Sequence, residues 1–100
     1  MRIVWSPLAI ERADEEARYI AEDKPDAASK WLDGLFEAVN RLEHFPQSGR
    51  IVPETELADY REIIYGSHRV IYRVEKRRVS ILTVRRSRQL LRKSEIRDEE

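Results

Sequence analysis

The chain has 100 residues, of which 41% are hydrophobic and 38% are charged, and its 19 basic and 19 acidic side chains give a net charge of zero. A chain of this length forms one domain that buries roughly two-thirds of its unfolded surface. The absence of cysteine excludes a disulfide scaffold, a thiolate metal site and a thiol nucleophile. The apolar runs are far shorter than the roughly 20 residues of a membrane span, and the N-terminus lacks the apolar region of a signal peptide, so we expect a soluble, cytoplasmic protein with no membrane partner.

The N-terminal half predicts a short strand followed by two helices. The β-type run at residues 2–5 ends at Ser6-Pro7, an N-cap residue followed by proline, which predicts a helix over residues 7–22. Pro25 opens a second helix, whose apolar stripe continues to Phe45, where Pro46 stops it. Because the connection is short, we expect an antiparallel helix hairpin.

The C-terminal half predicts three strands. Residues 46–59 have no clear period and are expected to form a loop. The runs 60–65 and 68–74 flank Gly66-Ser67, which suits a type II′ hairpin turn, and the run 79–85 has apolar residues on both parities, as in an interior strand. The order β-α-α-β-β-β predicts an α+β domain in which the helix hairpin packs on a three-stranded antiparallel meander. We expect residues 1–93 to form the domain and residues 94–100 to form a charged, frayed tail.

The net charge of zero conceals an uneven distribution. Residues 1–60 carry a net charge of −6, residues 61–93 carry +9 and residues 94–100 carry −3. Arginine dominates the basic segment, and its planar fork suits phosphate and carboxylate recognition. The segment is therefore either a solvated strand face or a surface for RNA, DNA or an acidic protein.

Most cofactor and catalytic chemistries find no support in the sequence. The two histidines, His44 and His68, lie far apart, so we expect no metal site. The glycines are isolated, which excludes a P-loop and a dinucleotide fingerprint, and we expect no cofactor. Ser67 and His68 are neighbours in a tight turn, which excludes the geometry of a serine hydrolase triad. Metal-free cleavage of RNA remains, because it needs only a base, an acid and positive charge near the phosphate.

The basic strands contain candidates for each of these roles. Strand parity places Arg69 and Arg73 on one face, and Arg61 and Arg86 on neighbouring strands could join them once the register is known. The candidate bases and acids are Glu54, Glu62, His68, Tyr65 and Tyr72. Strand tyrosines are more often part of a core or its rim, and loop glutamates are more often merely solvated.

Several segments together resemble one family of proteins. They are residues 3–6 (IVWS), 45–50 (FPQSGR), 60–62 (YRE), 69–74 (RVIYRV) and 81–86 (ILTVRR). Their order, with the chain length and topology, resembles the RelE/ParE superfamily of type II toxins, the plasmid stabilisation family, over about residues 1–92. The resemblance implies a toxin encoded beside an antitoxin, which neutralises it by wrapping over the helix hairpin and sheet. Operator DNA would then be bound only through the antitoxin.

The superfamily has two kinds of target. Members similar to RelE and YoeB cleave mRNA on the ribosome, whereas ParE-like members poison DNA gyrase. In the nuclease pattern, Arg69 matches the arginine that holds the scissile phosphate, and Glu54 lies where a YoeB-like base would fall. The chain departs from that pattern at Arg86-Ser87, where YoeB-like proteins have a His-Tyr pair, and it has no tyrosine after Tyr72.

The loop at 45–49 and the ending at 85–88 look more ParE-like, so we expect a gyrase-directed toxin. An mRNA endoribonuclease is one alternative, and a non-toxic, antitoxin-binding co-repressor is another. The catalytic residues, if the protein is a nuclease, would be Glu54, His68 and Arg86. The residues expected to bind phosphate or target are Arg61, Arg69, Arg73, Arg85 and Arg88.

Overall fold

The computed structural model describes residues 1–87 and Glu95 and has the expected α+β architecture. Its elements are β1 (Arg2–Trp5), α1 (Pro7–Asp23), α2 (Pro25–Asn40), a 3₁₀ turn (Arg41–Glu43), β2 (Arg50–Ile51), β3 (Tyr60–Tyr65), β4 (His68–Val74) and β5 (Arg78–Arg86). No helix in the described part of the chain is long and apolar enough to cross a membrane. The predicted tail, residues 94–100, lies outside the described residues apart from Glu95.

The start of α1 is fixed by the residues that predicted it. The Ser6 hydroxyl oxygen accepts a hydrogen bond from the Ala9 N–H at 3.0 Å, and Pro7 occupies the first turn. The same hydroxyl donates to the Leu82 carbonyl at 2.9 Å. The N-cap therefore also joins the helix to β5.

The second helix is shorter than its apolar stripe predicted. α2 ends at Asn40, and the chain tightens into the 3₁₀ turn, where the Arg41 carbonyl accepts from the N–H groups of both His44 and Phe45. Leu42 is the last buried residue of the stripe, whereas Phe45 is 65% exposed. The expected continuation of the helix to Phe45 is wrong: the last turn tightens after Asn40, and Phe45, as the residue before Pro46, is itself disfavoured in the α conformation.

The sheet has five strands in the order β1-β5-β4-β3-β2. The meander β3-β4-β5 is antiparallel as predicted, and Gly66 has the positive φ, +59°, of the first central position in a type II′ turn. β1 pairs in parallel with β5, which is therefore an interior strand. The two-residue β2 lies inside the segment expected to be a loop, and that part of the prediction is wrong because two residues show no period.

Apolar side chains pack on both sides of the sheet. The larger cluster lies between the helices and one face of the sheet: its buried members are Ala9, Ala13, Leu35, Val39, Leu42, Val70, Tyr72, Val79 and Ile81. A smaller cluster of Val52, Ile71 and Leu82 lies on the opposite side. We call the side that carries the large cluster the helix face and the other side the open face.

Candidate functional site

The register of the sheet decides which arginines share a surface. Arg69 on β4 lies opposite Arg85 on β5, and residues directly opposite each other point to the same side of a sheet. Arg73 follows Arg69 at an interval of four and therefore lies on the same side. The open face thus carries Arg69, Arg73 and Arg85.

The other two strand arginines do not extend this surface. Arg61 lies opposite Tyr72, and Arg86 lies opposite His68, so both belong to the helix face. The Arg61 guanidinium donates to the Gly49 carbonyl at 2.8 Å. Arg88 lies beyond the described residues.

Arg69 is the centre of a buried ion cluster on the open face. Its Nη1 and Nη2 donate to the two carboxylate oxygens of Glu54 at 2.9 and 2.8 Å. Its Nε donates to Glu62 Oε1 at 2.7 Å, and its Nη2 lies 2.6 Å from the same oxygen. The second Glu62 oxygen accepts from Arg50 Nε. We call Glu54, Glu62, Arg50 and Arg69 the ion cluster.

Burial gives the ion cluster its electrostatic character. Arg69 is 5% exposed and the Glu62 side chain is fully buried, whereas the side chains of Glu54 and Arg50 reach solvent. The hydrogen bond with Glu54 raises the pKa of Arg69, against an opposing effect of burial, and Glu62 raises it further. The guanidinium is therefore firmly charged and bound on two sides, and a phosphate could reach it only by displacing Glu54.

The third arginine of the open face is more accessible. Arg73 is half-buried, and its guanidinium carbon lies 5.5 Å from the centre of the Tyr60 ring on the neighbouring strand. A guanidinium stacked on an aromatic ring keeps donors in its plane for an anion. Arg73 is thus placed to extend the ion cluster toward one end of the sheet.

His68 and Arg86 meet on the helix face, on the opposite side from Glu54. His68 Nε2 lies 2.9 Å from a Glu16 oxygen, and Arg86 Nε lies 3.4 Å from the other. Arg86 also lies over the ring of Tyr19, with 5.0 Å between its guanidinium carbon and the ring centre. These side chains line a cavity of about 840 Å³ with Trp31 and Tyr65.

The two candidate acids are both bonded to the backbone. The Tyr65 hydroxyl donates to the Trp31 carbonyl at 2.9 Å, and a Cβ on Gly34 would overlap that hydroxyl. The Tyr72 hydroxyl accepts from the Gly49 N–H at 2.9 Å, and burial raises the pKa of Tyr72. Both hydroxyls connect the helix face to neighbouring backbone, and a proton transfer from Tyr65 would break its hydrogen bond to the Trp31 carbonyl.

A second carboxylate contact occupies the far side of the open face. Both oxygens of Glu95 lie 3.0 Å from Arg85 Nη1, and Glu95 Oε1 lies 3.3 Å from the Thr83 hydroxyl and 3.9 Å from Arg12 Nε. Glu95 is 5% exposed. Arg85, predicted as a phosphate- or target-binding residue, is therefore bound to an acid of its own chain.

The sequence did not indicate several of these partners. Glu16 and Arg12 come from α1, and β2 brings Arg50 to Glu62. Strand parity within one segment carries no information about such contacts, because they depend on the packing of elements distant in the chain. Within the described residues, no group of three or more histidine, aspartate or glutamate side chains could hold a metal ion.

Comparison with known proteins identifies the family. The model for the ParE toxin of the type II toxin–antitoxin system parDE matches residues 3–91. The chain belongs to the ParE toxin family. The protein named "Putative toxin Y4kP" from Sinorhizobium fredii is 36% identical to this ParE-family chain over 90 residues, which are 88% of this chain and 90% of that protein.

Solved structures share the fold of this ParE-family toxin. A chain of the chromosomal ParDE system from P. aeruginosa has a TM-score of 0.74 at 21% identity, covering 86% of this chain and 95% of that one. The YoeB/ParE toxin from Agrobacterium tumefaciens has a TM-score of 0.59 at 16% identity, covering 86% and 98%. A chain of the YoeB dimer from Staphylococcus aureus has a TM-score of 0.56 at 19% identity, covering 85% and 94%. The predicted RelE/ParE fold and the predicted role as a type II toxin are confirmed.

Proposed function

We propose that this ParE-family toxin arrests growth by poisoning DNA gyrase. The observation that carries the proposal is the division of the candidate nuclease residues between two faces of one sheet. Glu54 and Arg69 are bonded on the open face, whereas His68 and Arg86 are bonded to Glu16 on the helix face. A general base, a phosphate ligand and a charge-stabilising arginine must all reach one phosphodiester, and the sheet keeps His68 and Arg86 on the opposite side from Glu54 and Arg69.

A gyrase poison needs no such convergence, because it acts by binding. The family match covers residues 3–91, and the model that matches is that of ParE. The basic segment from Arg61 to Lys93 then supplies a surface for gyrase or its DNA complex, and no residue carries out covalent chemistry. Arg73, half-buried on the open face, is one arginine placed to contact such a target.

We further propose that a cognate antitoxin neutralises the toxin. The family is one of toxin–antitoxin systems, and the solved structures that share the fold include a YoeB–YefM complex from Staphylococcus aureus, with a TM-score of 0.52. The acidic helix hairpin and the basic strands give such a partner two surfaces of opposite charge. Operator DNA would be bound through the antitoxin.

One observation favours mRNA cleavage as the second candidate function. Glu54 and Arg69, the base and the phosphate ligand of the YoeB-like pattern, lie in direct contact. A phosphodiester that displaced Glu54 from Arg69 would leave a carboxylate beside the bound phosphate, where it could accept the proton of a 2′-hydroxyl. In this hypothesis, Arg73 or Arg85 rather than Arg86 would stabilise the negative charge of the transition state.

Induction of the toxin without an antitoxin distinguishes these functions. We expect growth arrest with chromosomal double-strand breaks and an SOS response, and no codon-positioned mRNA cuts in a translating extract. Rapid mRNA cutting with intact chromosomes would overturn the gyrase proposal. Unimpaired growth would instead favour the non-toxic co-repressor.

The variant Glu54→Gln sharpens the assay, since it removes the candidate base and keeps the side-chain shape. We expect it to retain the ability to cause breaks in proportion to its folded fraction, measured by circular dichroism. Glu37→Gln on the exposed surface of α2 makes the same change of net charge away from the open face and serves as the control. Complete loss of toxicity in a fully folded E54Q protein would support the nuclease.

A further inference from the structure

The environment of Glu95 has the features of an anion-binding site. Two arginines and a hydroxyl, from α1 and β5, surround its carboxylate, and the side chain is almost entirely buried. Arg85 Nη1 is equally distant, at 3.0 Å, from both carboxylate oxygens. Arginine binds phosphate oxygens with the same fork of donors that it presents to a carboxylate.

The donors around Glu95 exceed what one carboxylate uses. Arg12 Nε is buried and donates to no group within the described part of the chain, although it lies 3.9 Å from Glu95 Oε1. The other end of the Arg12 guanidinium bonds the exposed Glu15. A phosphodiester, whose two free oxygens are spread more widely than those of a carboxylate, could engage Arg12, Thr83 and Arg85 together.

The position of this site links it to the ion cluster. Arg85 lies directly opposite Arg69 across the β4-β5 ladder, on the open face. Arg69 is bound to Glu54 and Glu62, and Arg85 is bound to Glu95. Two adjacent arginines of the basic segment are thus both neutralised by acids of the chain.

We propose that Glu95 is a built-in occupant of an anion site formed by Arg12, Thr83 and Arg85, and that a phosphodiester of a nucleic acid displaces it. The Glu95 carboxylate competes with the ligand from within the same molecule. The apparent affinity for the ligand is therefore the intrinsic affinity multiplied by the fraction of molecules in which Glu95 has left the site. The choice of a nucleic acid as ligand rests on the proposed function, which brings the toxin to gyrase and its DNA, or on the second candidate function, which brings it to mRNA. The occupancy by Glu95 is independent of that choice.

The direct test measures binding of fluorescent 12-nucleotide DNA and RNA of the same sequence to the purified toxin. Glu95→Gln removes the charge and keeps the shape, and we expect it to raise affinity by about tenfold if Glu95 occupies the site in about nine molecules of ten. The slope of log affinity against log salt should steepen by about 0.7, the value of one added phosphate contact to a single strand. A gain for RNA alone, for DNA alone or for both identifies the source of the phosphodiester, and each outcome supports the site.

Two matched variants define the result. Glu37→Gln changes net charge equally on exposed α2 and should leave affinity within about twofold of wild type, as expected for a surface charge distant from the site. Adding Arg85→Gln to Glu95→Gln should abolish the gain. Equal affinities for E95Q and E37Q would overturn the proposal, and so would a gain only for a poly-glutamate peptide, which would identify an acidic protein as the ligand.

The wild-type protein provides a measurement that does not depend on a variant folding. Addition of the oligonucleotide should move the ¹³C carboxyl resonance of Glu95 toward that of a solvated glutamate as binding saturates. A resonance that stays unchanged at saturation would show that Glu95 is a fixed structural partner of Arg85. Because these measurements use purified protein, their failure is separate from a failure to find chromosome breaks in cells.

Discussion

The two faces of the sheet are built from the same strands but solve different physical problems. On the helix face, apolar side chains pack against α1 and α2, and tyrosine hydroxyls bond to backbone groups. On the open face, a small apolar cluster lies beside arginines whose charges are balanced by glutamates. An arginine that the sequence places on a strand is therefore not necessarily accessible to a partner, because a glutamate of the same chain can already bind it.

The difference bears on how the basic segment works. Its net charge of +9 indicates a strong attraction for polyanions at long range. At short range, Arg69 and Arg85 are each bound to carboxylates, so a ligand must compete for them. An anionic ligand could thus bind the open face by replacing a carboxylate of the chain, whereas the side chains of the helix face mainly stabilise the fold.

The largest expected effect comes from breaking the ion cluster. Glu62→Gln leaves Arg69 buried with one carboxylate in place of two and should reduce the free energy of unfolding by about 3 kcal/mol, because the buried guanidinium loses one of its two charged partners. Urea denaturation measures the loss. Arg18→Ala, which breaks an exposed helix pair with Asp14 at 2.8 Å, should cost no more than about 0.5 kcal/mol. Equal losses of unfolding free energy in the two variants would mean that the buried ion pairs of the open face contribute no more stability than an exposed pair.

A glycine substitution tests the backbone contact made by the helix face. A Cβ at Gly49 would lie 2.5 Å from both the Glu62 carbonyl oxygen and the Tyr72 hydroxyl. Gly49→Ala should therefore cost about 2 kcal/mol through displaced backbone and a weakened hydrogen bond. At Gly66 nothing lies within 4 Å of an added Cβ, and only the positive φ opposes Gly66→Ala, at about 1 kcal/mol. Thermal denaturation that ranks G66A as the less stable protein would contradict this packing.

The smallest expected effect is a pH dependence at one end of the open face. The Ser80 hydroxyl, with help from Arg78, holds the pKa of Glu75 below its ordinary value. A carboxyl with a lowered folded-state pKa stabilises the protein above its unfolded pKa, and this stability is lost as the pH falls through the folded value. Glu75→Gln should cost about 1 kcal/mol at pH 7, where the hydrogen bonds from Ser80 and Arg78 lose their charged acceptor, and the difference from wild type should shrink on acidification. A difference that stays constant to the acid limit of folding would exclude this explanation.

Much of the fold could be predicted because local signals and the tertiary structure agree. The Ser6-Pro7 cap, the short break before Pro25 and the turn at Gly66 all mark element boundaries that the structure keeps. The parallel pairing of β1 with β5 and the short β2 could not be predicted, since neither leaves a periodic pattern in the sequence. The end of α2 was predicted wrongly, because the apolar residue Phe45 continues the helical spacing although the helix ends at Asn40. The position before Pro46 disfavours the α conformation, and an apolar side chain does not overcome that.

The candidate site was predictable in its members but not in its pairings. Arg69, Arg73 and Glu54 follow from residue type and strand parity, and Arg69 and Glu54 are indeed in contact. The separation of Arg86 from them depends on the β4-β5 register. The roles of Glu16 and Arg12 depend on how α1 packs beside β5. Such contacts are long-range, and no single segment encodes them.

The parallel pairing of β1 with β5 has a consequence for biosynthesis. Ile3 pairs with Val79, so β1 can pair with its partner strand only after most of the chain has been synthesised. At roughly 5–20 residues per second, translation keeps that edge unpaired for several seconds after residue 3 is made. The helix hairpin can form early from local contacts, but the sheet closes only after β5 is made. An abbreviated translation product that stops before β5 therefore lacks both the completed sheet and Arg85, one of the three arginines of the open face.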